Sequence, residues 1–283
     1  MKRRIADLVN TFGPKEGPCN ICGQVGPLTE DHTPPKSCSG LKAGVLHRLH
    51  VQLSDGPVPK GRMVQNGHTY RTLCGRCNNT LLGKNYDPAL AHFCAEVRTA
   101  YESPGWPLRF SIEIQPQLVM RSVLGHLSAM GVGRNQNGPI TQLLRDYLLD
   151  AAQPLPPGIR VYYWLYKAGA QVLVRDAAMG WLGTGAEPFA FWLMKFYPLS
   201  FLVTFNEPEA RVFNLTDLDR FAQEPEAAKH VVPVELYPMV PDTFPEMPRD
   251  EDGYAILYGE EAVVAVPPGY LEQLGAARPV KRG

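Results

Sequence analysis

RTLCGRCNNTLLGKNYD, residues 71–87, is the stretch on which the reading of this chain turns. It holds the cysteine pair Cys74-Gly75-Arg76-Cys77, and an earlier pair, Cys19-Asn20-Ile21-Cys22, has the same spacing. That spacing lets both thiolates of a pair face one tetrahedral ion, and two pairs close a four-sulfur zinc site. A disulfide reading needs an oxidising compartment, for which the sequence offers no sign. A redox Cys-x-x-Cys sits in a strand–helix context and does not come twice. Cys19, Cys22, Cys74 and Cys77 are therefore read as ligands of structural zinc. Such a site has no open coordination position and does no chemistry of its own. Its role is to staple residues 19–84, which are rich in Gly, Pro, His and Lys and lack long apolar runs.

Chemistry enters beside the knuckles. Glu30-Asp31-His32-Thr33-Pro34-Pro35-Lys36 follows the first pair, and Asn78-Asn79 follows the second directly. Zinc stapling would bring Asp31, His32 and Asn78 into one small space. A carboxylate and an amide oxygen are hard donors suited to Mg²⁺ or Mn²⁺. A histidine beside such an ion, titrating near neutrality, can deprotonate water.

Together, Cys-x-x-Cys, Asp31-His32 and the quoted 71–87 stretch resemble the HNH (ββα-metal) nucleases, especially their zinc-stapled endonuclease VII-like branch. The resemblance covers about residues 17–88. It implies that Asp31 and Asn78 hold the catalytic metal, that His32 is the general base, and that DNA phosphodiester bonds are cut to leave 5′-phosphate and 3′-hydroxyl ends. Two departures stand out. The turn after Asn78 holds Thr80, Leu81 and Leu82 where the family often has an acid or histidine, which leaves water, substrate phosphate, Asn79 or Asp87 to complete the metal shell. Thr69 stands where many relatives have an Asn, so a backbone carbonyl is expected to orient His32.

Several of these residues have a structural reading beside the functional one. Asn78 could be a helix cap, with Asn79 the more structural of the two. His47 and His50, lacking carboxylates nearby, read as solvated or phosphate-facing. Cys38 and Cys94 have no partners at metal spacing, and Cys94 packs in a helix. His126 on an apolar helix reads as a satisfied core histidine. Tyr162, Tyr163, Trp164 and Tyr166 read as strand core and edge ahead of a base-stacking surface.

The formal net charge of zero, from 28 basic and 28 acidic residues, excludes a uniformly basic nucleic-acid coat protein and an acidic tail. The total hides a split. Residues 1–104 carry 13 Lys plus Arg against 8 Asp plus Glu, and residues 105–283 carry the remaining 15 and 20. Lys36, Arg71, Arg76 and Lys84 flank the proposed site and are expected to meet phosphates. No apolar run approaches the ~18 residues a bilayer requires, and a cytoplasmic location without membrane contact is expected.

The expected architecture is α+β: a small zinc-stapled ββα-metal nuclease module with its following helix at 1–104, then a larger α+β domain at 105–283. The second domain would select substrate, mediate oligomerisation or bind a protein or small-molecule activator. Helices are expected at 1–11, 88–102, 117–131 and 140–152. Strands are expected at 108–115, 189–197, 200–206, 232–237, 254–258 and 261–266, with a hairpin formed by 159–167 and 170–175. DNA, duplex or branched, is the expected partner, and the organisation resembles effectors of restriction or phage-defence systems. The competing reading is a non-catalytic zinc-finger or adaptor protein whose C-terminal domain binds a ligand or partner.

Overall fold

The structure, a computed structural model, describes residues 11–38, 43–49, 61–65, 67–105, 108–133, 139–183, 187–207, 213, 215–235, 240–248, 253–259 and 261–268. The expected helix at 1–11 lies almost wholly outside the described residues. In chain order the first part holds β1 (Glu16–Pro18), β2 (Val25–Thr33), β3 (Ala43–Arg48), β4 (Arg62–Gln65) and β5 (His68–Cys74). A π-helix (Arg76–Tyr86) and α1 (Asp87–Glu102) follow. Next come β6 (Arg109–Ile114), α2 (Pro116–Ala129) and α3 (Pro139–Leu149). The remaining strands are β7 (Ile159–Leu165), β8 (Gln171–Trp181), β9 (Phe189–Phe196), β10 (Leu199–Phe205), β11 (Thr216–Asp217), β12 (His230–Glu235), β13 (Tyr254–Leu257) and β14 (Ala262–Val266). The chain is α+β, as its patterning indicates.

β1, β2 and β5 form a three-stranded antiparallel sheet beside the cysteine pairs, and β12 pairs with β6 in a two-stranded one. A nine-stranded sheet runs β11-β7-β10-β9-β8-β14-β3-β4, with β13 also on β8. Its centre is β9 and β10, apolar runs buried along nearly their whole length, as strands covered on both faces must be. One face carries Tyr162, Trp164, Val172 and Phe191 beneath Phe244 and Tyr254. The other carries Tyr163, Leu173, Met194 and Val203 toward the helices and the zinc region.

The strands at 159–165 and 171–181 exist, but they do not form a hairpin. β7 pairs with β10 and β8 with β9, so the β9–β10 hairpin lies between them. Tyr166 N–H donates to Pro198 O, continuing the β7–β10 ladder into the next turn. The segment across Ala168-Gly169 therefore bridges two strands. Long-range burial of apolar pairs such as Phe201 against Tyr163 outweighs the local turn signal.

Nor does position 104/105 separate two structural units. β3 pairs with β14, placing 43–48 in the large sheet. From the other side, α2 packs against β2, β5 and the π-helix. The region of the cysteine pairs thus has a core: Ile21, Tyr70, Leu73 and Leu82 are buried and continuous with Val123, Leu127 and Met194.

Helix α2 is the shared pillar. Pro at its start supplies a preset φ, and nearly every later residue is buried. Gly125 admits the Leu82 side chain so closely that a Cβ there would lie 2.4 Å from Leu82 Cδ2. Carbonyls at the helix C-terminus lack intrahelical partners, and residues from distant elements supply them. Asn20 Nδ2 donates to Ser128 O at 3.1 Å, Thr72 Oγ1 to Ala129 O at 2.6 Å, and Arg175 Nη1 to Ser128 O at 2.9 Å. The residue inside the first cysteine pair is thereby fastened to a helix more than a hundred residues away.

Candidate active site and zinc centre

The first cysteine pair lies on a tight turn. Gly23 N–H donates to Cys19 O at 2.8 Å, and Gly23 takes φ +74°, a conformation glycine adopts without strain. The second pair spans the junction of β5 with the π-helix. The sulfur atoms of Cys19, Cys22, Cys74 and Cys77 lie within 4.8 Å of one another, and those of Cys22 and Cys74 are 3.8 Å apart. A tetrahedron with Zn–S bonds of about 2.3 Å has edges of ~3.8 Å, so this donor set fits zinc.

The thiols' electrostatics point the same way. A hydrogen bond from Cys77 pulls the Cys19 thiol down to about 5. Burial pushes Cys22 up to about 11, and the bond to Cys19 drives Cys77 higher still. Without a cation one thiolate forms at the expense of its neighbours; a divalent ion is what lets four coexist.

The π-helix is wider than an α-helix, its end marked by Asp87 N–H donating to Leu82 O five residues back. Such segments are rare, and no sequence signal announces this one. It carries Asn78, whose Nδ2 donates to Glu30 O at 2.8 Å and to Thr29 Oγ1 at 3.0 Å. Thr29 Oγ1 itself donates to Leu73 O at 3.0 Å, and Glu30 O can only accept. These roles fix which end of the amide is nitrogen and leave Asn78 Oδ1 without a hydrogen bond among the described residues. Asn78, not the exposed Asn79, is therefore the structural tie, and it lies inside the helix rather than capping it.

Across β2 and β5 the register pairs Glu30 with Arg71, Asp31 with Tyr70, His32 with Thr69 and Thr33 with His68. Alternate residues face opposite sides, so Asp31 and Thr33 point inward toward α2 while Glu30 and His32 point outward. His32 is half-buried and accepts or donates no hydrogen bond among the described residues; no backbone carbonyl orients it. Burial holds its imidazole below the ordinary histidine range, despite the opposing pull of Asp31. It is therefore neutral at pH 7, the state a general base needs.

Asp31 is only 2% exposed. Its Oδ2 accepts from His126 Nδ1 at 2.9 Å and from Thr33 Oγ1 at 3.2 Å. His126 Nε2 reaches Asp87 Oδ1, also at 2.9 Å, and Ser122 Oγ donates to that same oxygen at 2.8 Å. Burial alone would lower the His126 pKa, but the two carboxylates outweigh it and raise it well above the ordinary value. His126 is thus a satisfied core histidine, as expected, but its partners tie three separate elements together. Sequence reasoning could see an ionisable residue on an apolar helix; it could not see that Asp31 and Asp87 flank it.

The flanking cations divide. Lys36, Arg76 and Lys84 are exposed, with no acidic partner among the described residues. Arg71 is bound to Glu30 at 2.6 Å, which neutralises the guanidinium expected to meet phosphate. Cys38 and Cys94 are buried, Cys94 within α1. His47 lies in β3 of the large sheet, and His50 lies outside the described residues. Tyr162, Tyr163, Trp164 and Tyr166 are all buried, which removes them as a base-stacking surface. No described helix is long and apolar enough to cross a membrane. In comparisons with known proteins the chain matches no family model, no curated protein and no solved structure.

Proposed function

We propose that the chain is a zinc-stapled, metal-dependent nuclease of the ββα-metal type that hydrolyses DNA phosphodiester bonds. The observation that carries this reading is the pair of bonds from Asn78 Nδ2 to Thr29 and Glu30. They tie the Asn78 amide to β2 at Thr29 and at the Glu30 carbonyl, one residue before Asp31-His32. Asp31 Oδ1 and Asn78 Oδ1, both without hydrogen bonds among the described residues, would hold Mg²⁺ or Mn²⁺. When bound, such an ion supplies Lewis-acid stabilisation of charge on phosphate oxygens. His32, neutral and half-exposed, takes the proton from the attacking water as its oxygen bonds to phosphorus; the P–O3′ bond breaks, the 3′-oxygen takes a proton from solvent, and His32 returns its own to solvent. Lys36, Arg76 and Lys84 neutralise flanking phosphates.

One observation favours a second reading. Asp31 faces inward and is ion-paired to His126, which a non-catalytic zinc-stapled binding or adaptor module would equally use to pin α2 to β2. The expectation of a defence effector depends on two separable units, and the shared core takes that support away. The deciding experiment is nicking of supercoiled plasmid by the full chain in Mg²⁺ or Mn²⁺. Cleavage that disappears in His32→Ala while DNA binding persists supports the nuclease. A wild-type chain that binds DNA without cutting it, or a His32→Ala variant that cuts as well as wild type, supports the binding module.

A further inference from the structure

We infer that His126 is the positioning residue of the divalent-metal site, orienting the Asp31 carboxylate with Asp87 braced behind it. The inference rests on the nuclease reading; it adds His126, which lies outside the 71–87 stretch, and places Asp87 behind the metal ligand rather than on the metal.

The Asp31 carboxylate is held through one of its two oxygens. Asp31 Oδ2 accepts from His126 Nδ1 and from Thr33 Oγ1, so the carboxylate cannot rotate without losing a bond at 2.9 Å and another at 3.2 Å. Its Oδ1 has no hydrogen bond among the described residues and is the oxygen left to face a ligand. His126 cannot turn either, because Nε2 donates to Asp87 Oδ1, and that oxygen is held by Ser122 Oγ. The three side chains come from β2, α2 and α1, so the Asp31 rotamer is set by tertiary packing.

What separates a metal-orienting role from a purely structural one is how the carboxylate is held. Both of its hydrogen bonds fall on Oδ2, in a region where His126 is 1% and Asp31 2% exposed. Oδ1 is left without a hydrogen bond among the described residues and is held in one direction, as a monodentate oxygen ligand of a divalent cation must be. Groups that hold a ligating side chain from behind in this way tune metal affinity about 10–100-fold.

The test is Mn²⁺ binding to the full-length, zinc-loaded chain, read from the free Mn²⁺ signal in electron paramagnetic resonance. His126→Gln is expected to weaken Mn²⁺ binding by about tenfold or more while zinc content stays at the wild-type level. The Mn²⁺ concentration needed for half-maximal nicking should rise in parallel. If His126→Gln does not fold, Asp87→Asn decides: it removes the brace and one charge but leaves the Asp31–His126 contact, and several-fold weaker binding is expected. A folded variant that binds Mn²⁺ like wild type overturns the inference. That result alongside lost nicking in His32→Ala removes the positioning role alone. Undiminished nicking by His32→Ala removes the nuclease reading. A wild-type chain that takes up no Mn²⁺ beyond its zinc removes both.

Discussion

The sulfur atoms of Cys22 and Cys74 stand 3.8 Å apart although 52 residues separate them in the chain. The contact joins the turn before β2 to the end of β5, just ahead of the π-helix whose Asn78 amide is tied to β2 at Thr29 and Glu30. Removing one thiolate should release that whole corner. Cys77→Ser is expected to lose the bound zinc and about 4–5 kcal/mol of stability, in the range of lost metal sites. Metal analysis by plasma emission and chemical denaturation check this. Because α2 gives the region a core, the large sheet should keep its strand signal in circular dichroism; a fully unfolded variant would contradict that division.

Catalysis, if His32 is the base, has a defined pH profile. Burial holds its imidazole below the free value of about 6.5. The active form is neutral, so the nicking rate should rise with pH through a point below about 6.5 and be flat from pH 7 upward. Plasmid nicking at fixed metal concentration across pH 5–9 measures it. A sole inflection on the alkaline side would assign the base to another group.

His68 carries a separate acid sensitivity. Its ring is fully buried, neither nitrogen has a partner among the described residues, and burial drives its pKa down to about 3. Below about pH 6.5 the unfolded chain binds a proton that the fold refuses. The stability present above that pH is lost on acidification, at up to ~1.4 kcal/mol per pH unit, until the folded pKa is reached. His68→Phe should remove this dependence. Between pH 7 and pH 5 wild type should lose about 2 kcal/mol more than the variant in urea denaturation. Equal losses would show that His68 is solvated.

Lys195 in β9 and Glu246 in the turn segment 240–248 form a deeply buried ion pair. Lys195 Nζ lies 2.7 Å from Oε1 and 2.8 Å from Oε2 of Glu246, and it also donates to Phe244 O at 3.0 Å. Lys195→Met should cost about 3–5 kcal/mol because it strands the Glu246 charge. Adding Glu246→Leu should recover much of that loss, since an apolar pair of similar volume tolerates burial. A double-mutant cycle on denaturation midpoints measures the coupling, and additive losses would argue against a buried pair.

Much of this molecule is legible residue by residue. The two cysteine pairs announce a four-sulfur cluster that fits a metal ion such as zinc, because ligand spacing is a local property. Asp87-Pro88 announces α1, observed at Asp87–Glu102, because a proline with a preset φ acts within the first turn; the Asp87 side chain makes no cap and instead accepts from His126 and Ser122. Apolar runs place β9 and β10 to within a residue or two.

What the chain could not disclose by itself is which of these elements meet. The turn at Ala168-Gly169 reads as a hairpin, yet β7 and β8 pair with a hairpin that lies between them, because buried register over whole strands outweighs one favourable turn. The basic and acidic halves read as two domains, yet α2 and β3 cross the boundary to build one core, since each half alone would leave an apolar face in water. His126 reads as an inert core residue, and only folding reveals Asp31 and Asp87 on either side of it. Spacing, capping and periodicity act over a few residues and survive in the sequence. Strand partners and charge partners are chosen by burial across the whole chain, and that choice exists only in the tertiary structure.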